Sequence, residues 1–138
     1  MTYLLDTNVI SELRRRQPDP GVLEWYETVP SAQLFLSVLT IGEIRVGIER
    51  LRRKDAVQAD ALEWWFRGLR STYQDHVIGI DIETAQEWGR LSVADPVPVI
   101  DGLLAASAKV RGWTLVTRNP ADLARCGVAL LNPFDPPA

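Results

Sequence analysis

Residues 2–10 read Thr-Tyr-Leu-Leu-Asp-Thr-Asn-Val-Ile. The apolar run Tyr3-Leu4-Leu5 ends in a carboxylate, Asp6, and three oxygen-bearing side chains, Asp6-Thr7-Asn8, crowd one tight junction. The stretch reads as a strand over Thr2–Asp6 followed by a helix over about Asn8–Arg16, stopped before Pro18. An acid at such a junction has a structural reading, as the cap of the helix that follows. It also has a chemical one, because three oxygens are more than one cap needs.

Working outward, the same alternation recurs. Asp19-Pro20 opens a helix that runs to about Thr28. Leu34–Ser37 is a short apolar strand. Thr40–Arg53 follows as a helix with Ile41, Ile44, Ile48 and Leu51 on one stripe. Ala56–Tyr73 is a further helix with Leu62, Trp65, Phe66 and Leu69 inward, and Val77–Ile80 is a strand. Asp81 caps a helix over about Glu83–Val93, so it is left out of the candidate site. Asp95, Pro96 and Pro98 form a loop before the helix Val99–Arg111, which Gly112 closes. Leu115–Thr117 is a strand, Asp122–Arg125 a short helix, Val128–Leu131 the last strand, and Asn132–Ala138 a proline-rich surface tail.

Strands alternating with helices predict a three-layer α/β/α fold with a central, mostly parallel sheet and right-handed crossovers. With 138 residues and 46% apolar content, the chain is expected to form one domain, 1–138. No apolar run approaches a bilayer span and no leader is evident, so a cytoplasmic protein without membrane contact is expected. The lone Cys126 excludes an intramolecular disulfide and a thiolate zinc site. A net charge of −3 argues against a generic basic nucleic-acid binder. The arginines cluster at Arg14-Arg15-Arg16 and around Arg45–Lys54, either as solvated faces or as phosphate-binding forks.

In parallel α/β sheets the ligand site lies outside the carboxyl ends of the strands. Asp6, Glu43, Asp101 and the pair Asn119/Asp122 all fall at strand ends or in first helical turns. Together they suit a hard divalent cation with oxygen ligands. Each also has a local explanation. Thr40-Ile41-Gly42-Glu43 fits a capping box, Asp101 complements a helix dipole, and Asn119-Pro120 makes a turn. Gly42 and Gly102, each beside an acid, suggest close approach of a backbone or ligand. His76 is the only histidine, which excludes a two-histidine ribonuclease, and nothing near it resembles a nucleophile elbow.

At this point the blocks are recognisable. Leu4-Leu5-Asp6-Thr7-Asn8-Val9-Ile10-Ser11 comes first, then Ser37-Val38-Leu39-Thr40-Ile41-Gly42-Glu43-Ile44. Val99-Ile100-Asp101-Gly102-Leu103-Leu104-Ala105-Ala106-Ser107-Ala108 and Leu115-Val116-Thr117-Arg118-Asn119-Pro120-Ala121-Asp122-Leu123 follow, and Leu131-Asn132-Pro133-Phe134 closes the series. In this order they resemble the PIN-domain family, especially the VapC/FitB type of toxin from type II toxin–antitoxin pairs. The resemblance implies a Mg²⁺-dependent (or Mn²⁺-dependent) endoribonuclease leaving 5′-phosphate and 3′-hydroxyl ends. It implies catalytic Asp6, Glu43, Asp101 and Asp122, with the same acids and Asn119 as metal ligands. Thr7, Asn8 and Thr117 would position substrate or water. The implied partners are RNA, a cognate antitoxin and a second copy of the chain, the last hinted at by Trp64-Trp65-Phe66. Asn119 stands where the family usually has an acid, which keeps open the alternative of a catalytically weak module that binds RNA or protein. A haloacid-dehalogenase-type phosphatase needs a second Asp at position 8, which is Asn8. A receiver-type domain needs a lysine after a late strand, and Lys54 and Lys109 do not follow strands.

Overall fold

The computed structural model describes residues 1–94 and 96–134. Five strands, β1 (Tyr3–Leu5), β2 (Leu34–Ser37), β3 (Val77–Ile78), β4 (Thr114–Val116) and β5 (Ala129–Leu131), form one sheet in the order β3-β2-β1-β4-β5. Every pairing is parallel. Helices α1 (Thr7–Leu13) and α2 (Pro20–Thr28) connect β1 to β2, and α3 (Val38–Arg52) and α4 (Ala56–Thr72) connect β2 to β3. Helices α5 (Ile82–Ala94) and α6 (Val99–Arg111) lead to β4, and a 3₁₀ segment, Pro120–Cys126, leads to β5.

Neighbouring residues of a strand point to opposite faces, and the two cores divide accordingly. Leu5, Leu34, Leu36 and Val116 pack with Val9, Ile10, Ile44, Ile48 and Phe66 beneath α1–α4. Leu4 and Leu115 pack with Leu104, Ala105, Ala108 and Leu123 on the other side, with Phe35 against the same cluster. The sheet is covered on both faces, which is the expected α/β/α layering. Burying a Leu, Ile or Phe side chain of this kind contributes roughly 1.5–3 kcal/mol. The expected inward stripe on α4 holds for Phe66, which is buried, with Leu62, Trp65 and Leu69 partly buried, whereas Trp64 stands 76% exposed. A bidentate pair ties α3 to α4: Arg45 Nη1 and Nη2 donate to Glu63 Oε1 and Oε2 at 2.7 and 2.9 Å.

Several boundaries differ from expectation. Helix α1 ends at Leu13, not Arg16, because Glu12 turns its carboxylate onto the backbone N–H of Asp19 at 2.8 Å and bends the chain back. Helix α3 starts at Val38, directly after β2, with the Ser37 hydroxyl accepting from Leu39 N at 3.1 Å. The capping box proposed for Thr40 and Glu43 is therefore absent, since Glu43 lies in the second turn. Strand β3 stops at Ile78 rather than Ile80, and the helix expected at Asp122–Arg125 is a longer 3₁₀ segment. Asp19 and Asp81 do cap: Asp19 Oδ1 accepts from Gly21 N and Val22 N, and Asp81 Oδ1 from Thr84 N. The loop position Asp95 and the tail residues 135–138 lie outside the described residues. No helix among the described residues is long and apolar enough to cross a membrane.

Candidate functional site

The chain moves from β1 to β2 on one side and later to β4 on the other, so the order reverses at β1. The crevice beyond the carboxyl ends of β1 and β4 is the place where such sheets bind ligands. Asp6 N donates to Val116 O at 2.9 Å, which brings the residues after both strands together. They open onto a cavity of about 310 Å³ lined by Asp6, Thr7, Asn8, Ser11, Glu43, Asp101, Thr117, Asn119, Asp122 and Leu123. All eight side chains singled out in the sequence belong to that lining, and among the described residues no Lys, Arg or His does.

Asp6 is both cap and cavity wall. Its Oδ1 accepts from Thr7 N at 2.6 Å, while Oδ2 accepts from the Thr117 hydroxyl at 2.8 Å and from Asn8 Nδ2 at 3.4 Å. The residue is only 8% exposed. Burial pushes its carboxyl pKa up. The hydrogen bonds from Thr117 and Thr7 oppose that shift, and the charges of Asp101 and Glu43 add to it.

Glu43 projects from the second turn of α3. The Thr7 hydroxyl donates to Glu43 Oε1 at 2.5 Å and lies 3.2 Å from the hydroxyl of the buried Thr40. Asp101 is the third residue of α6, whose preceding residue, Pro98, offers no side-chain cap. Its pKa is raised by burial first and then by the charges of Glu43 and Asp122. Asn119 follows β4, and its backbone N–H donates to the Thr117 hydroxyl oxygen at 3.3 Å. Asn8 Oδ1 accepts from Arg118 N at 3.3 Å, clipping the loop after β4 to the start of α1.

The glycines beside the acids have different reasons. A Cβ on Gly42 would meet nothing within 4 Å, so no backbone presses on it. A Cβ on Gly102 would lie 3.0 Å from Val97 Cγ2 and 3.1 Å from Trp88 Cδ1, so there the neighbours are side chains of the fold.

Ser11, Leu123 and Thr40 were not singled out from the sequence as site residues. Ser11 stands one turn after Asn8 on α1, a spacing that places both on one helix face and could have flagged it. Nothing in linear spacing marked Thr40 or Leu123.

Chemically the cavity is a basin of carboxylates with no counter-charge in its wall. Among the described residues, no three His, Cys, Asp or Glu side chains already close on a common ion position. A cation at these oxygens would have to complete its coordination with water.

A model of the PIN domain matches residues 3–127. The plasmid stability protein StbB of Pseudomonas syringae pv. tomato is 31% identical, with 96% of this chain and 98% of that protein covered. The VapC ribonuclease Y4jK of Sinorhizobium fredii is 27% identical over 96% and 98% of the respective chains. Among solved structures, FitAcB from Neisseria gonorrhoeae superposes with a TM-score of 0.87 at 27% identity, covering 96% of this chain and 98% of that one. A toxin–antitoxin complex from Klebsiella pneumoniae gives 0.73 at 25% identity, covering 98% and 100%.

Proposed function

The chain belongs to the PIN-domain family, and on that premise we propose that it is a metal-dependent endoribonuclease, the toxin of a type II toxin–antitoxin pair. The observation that carries this reading is the convergence of Asp6, Glu43, Asp101 and Asp122 on one basin whose lining holds no cation. Relatives named as a ribonuclease and as part of a toxin–antitoxin complex support the same assignment.

In this reading Asp6 and Asp101 would hold Mg²⁺ directly, Glu43 and Asp122 would hold it directly or through water, and Asn119 would orient a water. Mn²⁺ has the same donor preference and would serve in its place. When bound, the ion supplies Lewis-acid polarisation of the scissile phosphate and a water of lowered pKa. The protein's own part is to prepare the basin. Thr117 and Thr7 fix both oxygens of Asp6 and the near oxygen of Glu43, so these acids do not swing on substrate entry. Asn8 spans Asp6 and the Arg118 backbone and keeps the rim closed. The raised pKa values of Asp6 and Asp101 mean that the cation-free site resists full ionisation, and a cation reverses that preference.

The antitoxin, expected in an apolar groove beside the helix of Ile44, Ile48 and Leu51, is proposed to occupy the cleft of about 380 Å³ lined by Leu51, Leu62, Ala61, Trp65, Gln58 and Arg14, since Ile44 and Ile48 themselves are buried in the core. An amphipathic helix or extended tail would fit such a surface. A homodimer and a cytoplasmic location complete the proposal. The second reading, a module that binds without cutting, is favoured by Asn119, whose amide leaves the basin one charge short.

Incubation of total RNA with the purified protein, resolved on a denaturing gel, separates the two. Fragments should appear with magnesium, vanish with EDTA and be absent for Asp101→Asn at unchanged melting temperature or above. Cleavage that persists in EDTA, or that survives Asp101→Asn, would overturn the nuclease mechanism.

A further inference from the structure

A second, larger depression adjoins the basin and shares Asn8 and Ser11 with it. It measures about 730 Å³, and its lining carries Arg14, Arg15, Arg16 and Arg118. Helix α1 links the two: its first turn stands at the acids, and the arginine turn follows its last residue, Leu13. Seven helical residues at 1.5 Å each put these ends about 10 Å apart.

The cations on this wall are held ready. Glu12 is buried and engages Arg15 at 3.3 Å while it pins the chain at Asp19, which fixes the turn carrying Arg14 and Arg16. Arg118 lies on the opposite side with its guanidinium 4.6 Å over the Phe134 ring. Among the described residues Arg14, Arg16 and Arg118 make no ion pair, which they share with Arg50, Arg53, Lys54, Arg67 and Arg70, whereas Arg45, Arg52, Arg90, Arg111 and Lys109 are paired. In a chain of net charge −3, three guanidinium groups without an ion pair thus line one trough next to the acidic basin. Guanidinium forks match phosphate oxygens.

We propose that this trough is the track for the phosphodiester backbone of single-stranded RNA on one side of the scissile bond, with Arg14, Arg16 and Arg118 as its phosphate-binding residues. The identity of the nucleic acid rests on the nuclease reading; the track itself rests on the geometry above. The trough also resolves the conflict between a negatively charged protein and a polyanionic substrate. Local cations hold the strand while the basin, once it carries its ion, no longer repels it.

The test is an anisotropy titration of a fluorescein-labelled, 16-nucleotide mixed-sequence RNA in the Asp101→Asn background with magnesium present, from about 50 to 200 mM salt. Three phosphate contacts on a single strand contribute about 2 to the slope of log K against log salt. The triple variant R14Q/R16Q/R118Q should lose on the order of tenfold in affinity and flatten that slope by about 2. A control with the same charge change, R50Q/R53Q/K54Q on the end of α3, should stay within about twofold. The single variants Arg14→Gln and Arg118→Gln, both at exposed positions, should each flatten the slope by about 0.7 and guard against misfolding of the triple. Equal losses in triple and control, an unchanged slope, or no measurable RNA binding would overturn the track. So would loss of poly-glutamate binding without loss of RNA binding, which would assign the trough to an acidic protein. Cleavage is scored separately. Trough-dependent binding without cleavage by the wild type sinks the nuclease reading alone, and cleavage with a KM indifferent to the trough sinks the track alone.

Discussion

Gly102→Ala is a substitution for which helix propensity and packing predict opposite signs. Alanine in place of glycine inside a helix ordinarily stabilises by about 1 kcal/mol. At Gly47 a Cβ meets nothing within 4 Å, so Gly47→Ala should gain about 0.5–1 kcal/mol. At Gly102 the new Cβ would stand 3.0 Å from Val97 Cγ2, 3.1 Å from Trp88 Cδ1 and 3.3 Å from Trp88 Nε1. Overpacking of this kind costs typically 1–3 kcal/mol, which cancels or exceeds the propensity gain. The net expectation is a loss of about 0–2 kcal/mol, and a gap from Gly47→Ala of about 1–3 kcal/mol. Urea melts of wild type and both variants in EDTA read that gap through the midpoints at constant slope. Relief comes from Val97 or Trp88 shifting or from the first turn of α6 moving outward, and the last movement carries Asp101 with it. Magnesium affinity should therefore fall in Gly102→Ala and stay level in Gly47→Ala. A stabilisation of Gly102→Ala equal to that of Gly47→Ala would refute the packing argument.

Thr117→Val keeps the shape of the side chain and deletes the 2.8 Å hydrogen bond to Asp6. Hydrogen bonds to charged groups are worth about 1.5–3 kcal/mol, so the variant should melt earlier at pH 8, and an unchanged midpoint would contradict the role given to that hydroxyl. Asp101 has a folded-state pKa above its unfolded value, so its ionisation weakens the metal-free fold as pH rises from the unfolded pKa through the raised one. The stability of Asp101→Asn minus that of wild type, measured in EDTA from pH 4 to 8, should accordingly grow with pH; a shrinking difference would reverse the sign. Glu63 behaves oppositely: its hydrogen bonds from Arg45 hold its pKa below the usual carboxylate range. The destabilisation caused by Glu63→Gln should be full at neutral pH and fade as pH falls through that lowered pKa, and a pH-independent loss would point to packing instead.

Much of the layering was legible because the short apolar runs at Tyr3–Leu5, Leu34–Ser37 and Leu115–Val116 are separated by helical patterns long enough only for crossovers. The gathering of Asp6, Asp101, Asn119 and Asp122 was legible too, since parallel strands all end on one edge. The start of α3 was not. Strand β2 passes into that helix with no turn residue between them, and both Ser37 and Thr40 are competent caps, so local chemistry favoured the wrong one. The end of α1 was also hidden. Arginine is a good helix former, and the tertiary bond from Asp19 N to Glu12 that accompanies the early stop is invisible in local sequence. The glycines needed coordinates as well, because sequence alone gives Gly42 and Gly102 the same apparent reason.

The strand order has a kinetic corollary. Strand β1 is synthesised first yet lies in the middle of the sheet, and the hydroxyl that braces Asp6 arrives 111 positions later. Contacts of that separation form late, after the entropy of closing a long loop has been met. A partly made or truncated copy ending before residue 117 lacks the brace on Asp6. The brace on Asp6 is thus complete only once a strand from the far end of the sequence has joined the middle of the sheet.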